Sequence, residues 1–333
     1  MNSIITDRKD KMKNFQIDDF KEETEDIIKR WNNKEDFVYY TSGSTGVPKK
    51  IVHSYEVIKQ VSEEVVRQNN YNNSSYILNH TLPPTSIGFP VLTVVPALIS
   101  GCQVRIKKFD TKTFVDDMIS GPTHAFILPA IYRVMSRTKK WKAADLSTLD
   151  TIACGADLIP EGMASEVTSK GVKRFKMDFG STEVPPSITD SSHEKKVGLR
   201  LSPLFDHYFG DDGELFVKWR SQKEYWQSGD LFTENFEMIG RKKNVLKLQG
   251  CSAVNPEIVE KHILDNCNVT RALLQIKNEK PHLYYEGEAA ESEVKNILDQ
   301  WYFSDNKVIN FVKRVDKIHV NHMNKLVRTQ EFV

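Results

Sequence analysis

Cysteine is scarce in this sequence of 333 residues. The four present (Cys102, Cys154, Cys251, Cys267) stand far apart, with no C-x-x-C pair and no histidine at zinc-finger spacing. That excludes a disulfide framework or a structural zinc and fits a reducing, cytoplasmic compartment. Net charge is nearly absent as well, since 46 Lys+Arg oppose 45 Asp+Glu for a formal +1. No overall field therefore draws nucleic acid or a membrane surface, and partners must be argued from local sites. Long apolar runs are missing too. The most apolar stretch, Phe89 to Cys102 (FPVLTVVPALISGC), carries two prolines and falls short of the roughly 18 to 20 residues of a membrane span. The opening MNSIITDRKDKMKNFQIDDFKEETED is charged throughout and lacks the apolar centre of a signal peptide.

What is present suffices for a large core. A hydrophobic fraction of 39% excludes disorder as the main state, and the length suggests two domains at roughly 150 residues each. Phe20, Ile27, Ile28 and Trp31 recur near helical spacing, which predicts an amphipathic helix over 18–31. Strand and helix patterns then alternate: DFVYYT, a helix over 54–67, QVRIKK, a helix over 111–119, HAFILP, a helix over 131–141, and TIACG. Such alternation predicts an α/β domain with a covered sheet. KVGLRL, ELFVKW and DLFTENFEMIG read instead as successive strands of a β-rich subdomain. Beyond Gly240 a helix over 256–266, strands RALLQIK and HLYYEG, a helix over 290–301 and strand VINFVKRV predict a small α+β domain. The expected division is 1–239 and 240–333.

The sharpest local feature is the run Thr41-Ser42-Gly43-Ser44-Thr45-Gly46-Val47-Pro48-Lys49-Lys50, directly after the apolar strand DFVYY. Glycines allow close backbone approach, hydroxyls and free N–H groups donate to phosphate oxygens, and lysines supply countercharge. Neither a Walker A loop nor a G-x-G-x-x-G fingerprint can be laid on it. Clusters of this composition are usually polar turns; two lysines and four hydroxyl residues tilt this one toward phosphate.

With this loop the sequence resembles the acyl-adenylate-forming enzymes, which include acyl-CoA synthetases, adenylation domains of peptide synthetases, and luciferases. Further matches follow in the family's order: Cys154-Gly155-Ala156, Phe179-Gly180-Ser181-Thr182-Glu183, Ser228-Gly229-Asp230, Gly240-Arg241 through Lys247 to Gly250, and Asn324-Lys325-Leu326-Val327-Arg328. The resemblance implies ATP-dependent activation of a carboxylic acid to acyl-AMP with release of pyrophosphate, then transfer to a thiol. It assigns Thr41, Ser42, Gly43, Ser44, Thr45, Gly46 and Lys49 to phosphate, Gly155, Ala156, Phe179 and Gly180 to the adenine side, and Asp230 and Arg241 to ribose. Thr182 and Glu183 fall beside phosphate, with Glu183 the Mg2+ ligand. Thr85, Ser86, Gly155 and Val184 line the acyl pocket, Gly250 lies on the thiol tunnel, and Lys243 is the hinge between half-reactions. Each has a plain reading of its own. Phe179 offers a π-face, Glu183 a hard oxygen, Asp230 a carboxylate for two hydroxyls and Arg241 a planar fork; singly they read as core, solvated charge and turn.

The expected acceptor is CoA, with a carrier-protein phosphopantetheine as the alternative and a non-catalytic paralogue as the second. Relatives carry a long segment ahead of the phosphate loop, whereas here the loop starts at Thr41. An apolar face left bare there predicts a homodimer or a partner chain that covers it. Thr85 or Ser86 stands where relatives place a histidine or an aromatic residue, and Asn324 replaces a glycine. In the resemblance Lys325 is the catalytic lysine, meeting the charge where carboxylate joins α-phosphate. Lys325→Ala is expected to lower acid-dependent exchange of pyrophosphate into ATP by about 100-fold or more, while thioester formation from pre-made acyl-AMP persists. Exchange at the unmutated rate refutes the assignment.

Overall fold

Short runs of β-branched and aromatic residues separated by amphipathic ones fold, in this computed structural model, as an alternating α/β unit. The structure describes residues 12–41, 49–185, 202–233, 237–246, 254–278, 280–300, 309, 311–320 and 326–332. Two compact units divide the chain, Met1–Phe205 and Asp206–Val333.

In chain order the first unit contains β1 (Phe15–Ile17), α1 (Lys21–Asn33), β2 (Phe37–Thr41), β3 (Lys49–His53), α2 (Tyr55–Asn69) and β4 (Tyr76–Asn79). A π-helical turn (Pro90–Val94) leads into α3 (Val95–Ser100), then β5 (Gln103–Ile106), α4 (Phe114–Ile119), β6 (His124–Ile127), α5 (Pro129–Met135) and α6 (Lys139–Ala143). The unit closes with β7 (Thr151–Gly155), α7 (Met163–Ser169) and β8 (Arg174–Asp178). Six strands form one parallel sheet in the order β1-β5-β4-β6-β7-β8, and β2 pairs antiparallel with β3 as a separate hairpin.

Every residue of β7 is buried, as a parallel strand covered on both faces requires. Ile127, Ile152, Cys154 and Phe175 pack with Trp141, Phe114 and Met163 from the flanking helices. The opposite face carries His124, Thr151, Arg174, Lys176 and Asp178, alternating with the apolar set along β6 to β8. Arg174 there donates through Nη1 to the Gln68 carbonyl at 3.0 Å, which ties β8 to the end of α2.

The helix predicted over 54–67 is α2, whose N-cap Ser54 accepts from the Val57 N–H. The helix predicted over 131–141 breaks in two. Thr138 caps the second piece by accepting from the Trp141 N–H at 3.2 Å, so the turn at 136–138 interrupts one apolar face. Strand β8, sequence RFKMD, goes against expectation because three charged residues occupy one face of a buried strand. The predicted strand KVGLRL lies outside the described residues.

The second unit contains an antiparallel sheet ordered β12-β11-β10-β9, made of β9 (Phe205–Phe209), β10 (Glu214–Trp219), β11 (Trp226–Phe232) and β12 (Met238–Arg241). A 3-10 turn (Lys242–Asn244) follows, then α8 (Pro256–Asn266), β13 (Val269–Lys277), β14 (Lys280–Gly287), α9 (Glu291–Gln300) and β15 (Phe311–Arg314). The last three strands form a sheet ordered β13-β14-β15, with Val259, Ile263, Leu274, Leu283, Tyr285, Val294 and Val312 in its core. Pro at the first position of α8, with Asn255 accepting from the Glu257 N–H, sets the start of that helix where the sequence predicts it. Among the described residues no helix is long and apolar enough to cross a membrane.

His124 is fixed as a neutral imidazole. Its Nε2 lies 3.2 Å from the Asn69 carbonyl and its Nδ1 2.8 Å from the Thr123 hydroxyl, with the Tyr71 ring packed edge-on. Burial pushes it down to about 4, and burial does the same to His80 beside Asp117, Lys107 and Arg105. In the unfolded chain both titrate near 6.5, so the unfolded state binds the extra protons between those values and stability drops as pH falls from 6.5 toward 4. Each histidine should contribute on the order of 3 kcal/mol to that loss. Urea melts at a series of pH values should show His124→Gln with a shallower dependence than the parent; an unchanged slope contradicts the buried neutral assignment.

Candidate active site

Parallel strands deliver their following loops to one edge of a sheet, and this edge gathers most of the singled-out residues of the first unit. β7 and β8 run in register with Gly155 opposite Asp178, so Gly155-Ala156 and the segment 179–184 leave side by side. Gly155 is buried, and an added Cβ there would stand 2.1 Å from the Asp178 carbonyl oxygen. Only glycine permits that approach. Ala156 follows exposed, with φ of 71°. Phe179, Gly180, Thr182 and Glu183 are half-buried and Val184 is buried. The turn closes on itself: the Ser181 N–H donates to the Val184 carbonyl at 2.9 Å, and the Val184 N–H donates to Ser181 Oγ at 3.1 Å.

The phosphate-loop candidates sit on the β2–β3 hairpin. Thr41 ends β2, Lys49 opens β3, and the two face each other in the antiparallel ladder, with Lys49 exposed. Ser42, Gly43, Ser44, Thr45 and Gly46 lie outside the described residues. At the far end of β3, His53 Nε2 stands 2.6 Å from the Thr182 carbonyl oxygen, across 129 positions of sequence. His53 is buried at 6% exposure, and burial holds its imidazole below the ordinary histidine value despite the Thr182 carbonyl and the Glu183 charge, both of which raise it. Nε2 is therefore the protonated nitrogen that donates to Thr182. Thr85 is exposed and Ser86 half-buried in the turn after β4, where Ser86 Oγ accepts from the Gly88 N–H at 3.1 Å.

The second unit holds its own set. Asp230 on β11 stands opposite Arg241 on β12, and Arg241 Nε meets Asp230 Oδ1 at 2.9 Å with the carboxylate side chain 1% exposed. Glu214, also buried, gathers the Gly229 N–H at 3.0 Å, Gln227 Nε2 at 2.7 Å and Lys242 Nζ at 2.7 Å. Burial raises the Glu214 carboxyl, but the bonds from Lys242 and Gln227 outweigh it and hold it low, so it stays ionised. Lys242 also pairs with Asp212 at 2.6 Å. These contacts brace the Ser228-Gly229-Asp230 segment inside β11 against β10 and the start of the 3-10 turn, where exposed Lys243 follows Lys242. Gly250 and Lys325 lie outside the described residues. Just after Lys325 the chain is anchored: Arg328 places two nitrogens on Glu260 at 2.7 and 2.8 Å, and Val327 donates to the His319 carbonyl.

His53 in the first unit, and Glu214 and Lys242 in the second, do not stand out in the sequence. Each is a single polar residue whose partner is distant in the chain, and only Lys242, beside Arg241, has a motif neighbour to flag it.

Residues 2–204 match the family described as AMP-binding enzyme, more than half of the chain. The chain belongs to that family of acyl-adenylate-forming ligases. It is 30% identical over 184 residues to indoleacetate–CoA ligase of Aromatoleum aromaticum, covering 53% of this chain and 36% of the relative. It is 25% identical over 263 residues to feruloyl-CoA synthase of Amycolatopsis sp, covering 67% and 52%. The chain thus spans about a third to a half of the length of these two curated relatives. Among solved structures, O-succinylbenzoate coenzyme A synthetase (MenE) of Bacillus subtilis, in complex with AMP, shares the fold with TM-score 0.74 at 18% identity, over 88% of this chain and 68% of its own.

The close approach at Gly155 generates a direct test. Gly155→Ala should push β8 and the 179–184 turn apart and cost about 1–3 kcal/mol, as overpacking of a buried contact does, with nucleotide affinity falling alongside. Urea melts and AMP titration check this; unchanged stability and affinity contradict it.

Proposed function

We propose that the chain activates a carboxylic acid with ATP, forming acyl-AMP and pyrophosphate, and passes the acyl group to the thiol of CoA. The observation that carries this reading is the 2.6 Å bond from His53 to Thr182, which seats the base of the glycine-rich hairpin against the turn bearing Thr182 and Glu183. In this reading a bound polyphosphate takes the Thr182 hydroxyl and the Glu183 carboxylate as its polar partners. In this reading Thr41 to Gly46 and Lys49 hold the phosphates, Gly155, Ala156, Phe179 and Gly180 flank adenine, and Asp230 and Arg241 take the ribose.

One or two carboxylates with substrate phosphates are the ordinary ligand set of Mg2+, and the half-buried carboxylate of Glu183 fits that role. When bound, the ion shields phosphate charge. Lys325, delivered from the anchored segment that ends at Arg328, neutralises the charge that develops where the carboxylate oxygen attacks the α-phosphorus. The P–O bond to pyrophosphate breaks as that bond forms. The thiol then displaces AMP from the acyl carbon.

The substrate we favour is an aryl or other largely apolar acid. The relatives named above are ligases of indoleacetate and of a feruloyl acyl group, and the small or apolar walls at Gly155 and Val184 suit a flat ring better than a charged chain. A hydroxylamine-trapping screen across carboxylic acids, run with and without CoA, tests the reading. An aryl acid should give hydroxamate without CoA and a thioester with it. Turnover only with a phosphopantetheinylated carrier protein replaces CoA as acceptor, and no trapped product with any acid overturns the ligase itself.

In this reading Lys243 is the hinge between the half-reactions, next to Lys242, which Glu214 and Asp212 hold to the strand framework. Lys243→Pro should leave acyl-AMP formation within about threefold and lower thioester formation by about 100-fold. Equal loss of both half-reactions contradicts the pivot.

A further inference from the structure

The hairpin that carries the glycine-rich loop and the turn that carries Thr182 and Glu183 come from different sheets and distant parts of the chain. β2 and β3 pair only with each other among the described strands, so no ladder hydrogen bond sets their height relative to the parallel sheet. The 179–184 segment has its own constraints: the Ser181–Val184 bonds close it, and Gly155 fixes where its stem leaves β8. A side-chain bond spans the gap. His53 is the last residue of β3, it is buried, and its Nε2 meets the backbone carbonyl of Thr182 at 2.6 Å. A bond to a carbonyl fixes backbone position without engaging the Thr182 hydroxyl or the Glu183 carboxylate.

We propose that His53 is a positioning residue for nucleotide activation: its Nε2–H pins the Thr182 carbonyl and so holds the turn bearing Thr182 and Glu183 in a fixed place against the end of β3. The proposal rests on the function argued above for Thr182 and Glu183. His53 touches neither the acid nor the acceptor, so its loss must show on the MgATP side alone. A histidine suits the position because it reaches from the strand end with a rigid ring and remains neutral when buried, leaving the nearby Glu183 charge for a cation. Leucine would fill the space without the donor. Glutamine would restore an N–H donor on a flexible stem.

The test compares the full chain with His53→Leu and His53→Gln by two readouts. In pyrophosphate–ATP exchange, His53→Leu should lower kcat/KM for MgATP by about tenfold or more, as small misplacements of catalytic groups do. Its KM for the acid should stay within about twofold, and His53→Gln should recover most of the loss. Hydrogen–deuterium exchange over residues 178–185 supplies the second readout and requires no turnover. The Ser181 and Val184 amides should exchange about tenfold faster in His53→Leu, with His53→Gln close to the parent. If the parent exchanges no pyrophosphate with any acid, the ligase reading fails while the amide data still judge the pin. Leucine and parent alike in amide exchange, or glutamine no better than leucine, overturns the proposal. So does an equal rise in the KM for the acid.

Discussion

The first unit depends on how closely β7 runs against β8 at their carboxyl ends. Gly155 faces Asp178 across a parallel ladder with no room for a methyl group between them. That approach fixes the two loops that leave this edge, Gly155-Ala156 on one strand and Phe179 to Val184 on the next. The sheet beneath is rigid because its apolar face is filled by Trp141, Phe114 and Met163, large side chains with at most 1% exposure. A loop mounted on such a base can hold a hydroxyl and a carboxylate in place without secondary structure of its own.

The opposite face of the same sheet is unusual in what it buries. Arg174, Lys176 and Asp178 alternate along β8, and Lys176 Nζ lies 3.1 Å from Asp178 Oδ1 with both side chains nearly inaccessible. Buried charge is costly unless it is paired, and here the pairing and the bonds from Arg174 to α2 turn that cost into a demand for one arrangement. The second unit uses the same device. Glu214 draws Gly229, Gln227 and Lys242 to one carboxylate, and Asp230 draws Arg241, so ion pairs tie the middle of β11 to the strand that ends just before the proposed hinge.

Where the sequence is periodic, the fold can be read from it. TIACG, ELFVKW and the Pro-led helix 256–266 occur over the residues their patterns predict, because apolar runs and a proline cap leave few alternatives. The helix over 131–141 divides because Thr138 caps from within an otherwise continuous apolar face. RFKMD hides as a strand because its charged residues satisfy one another only in three dimensions. The candidate residues of each unit show the same split. Gly155, the 179–184 segment, Asp230 and Arg241 are legible as ordered motifs, whereas His53 and Glu214 are single polar residues whose meaning lies in a carbonyl 129 positions away or in a cluster of strand ends.

The proposed function requires that the Gly155 edge and the Thr182–Glu183 turn hold one adenylate together with the glycine-rich segment after Thr41. A crystal structure with a non-hydrolysable acyl-sulfamoyl adenosine tests it most directly. The sulfamoyl group should lie between the segment following Thr41 and the turn at Thr182, with the adenine along Gly155 and Phe179. An analogue that fails to bind, or that binds away from this edge, contradicts it.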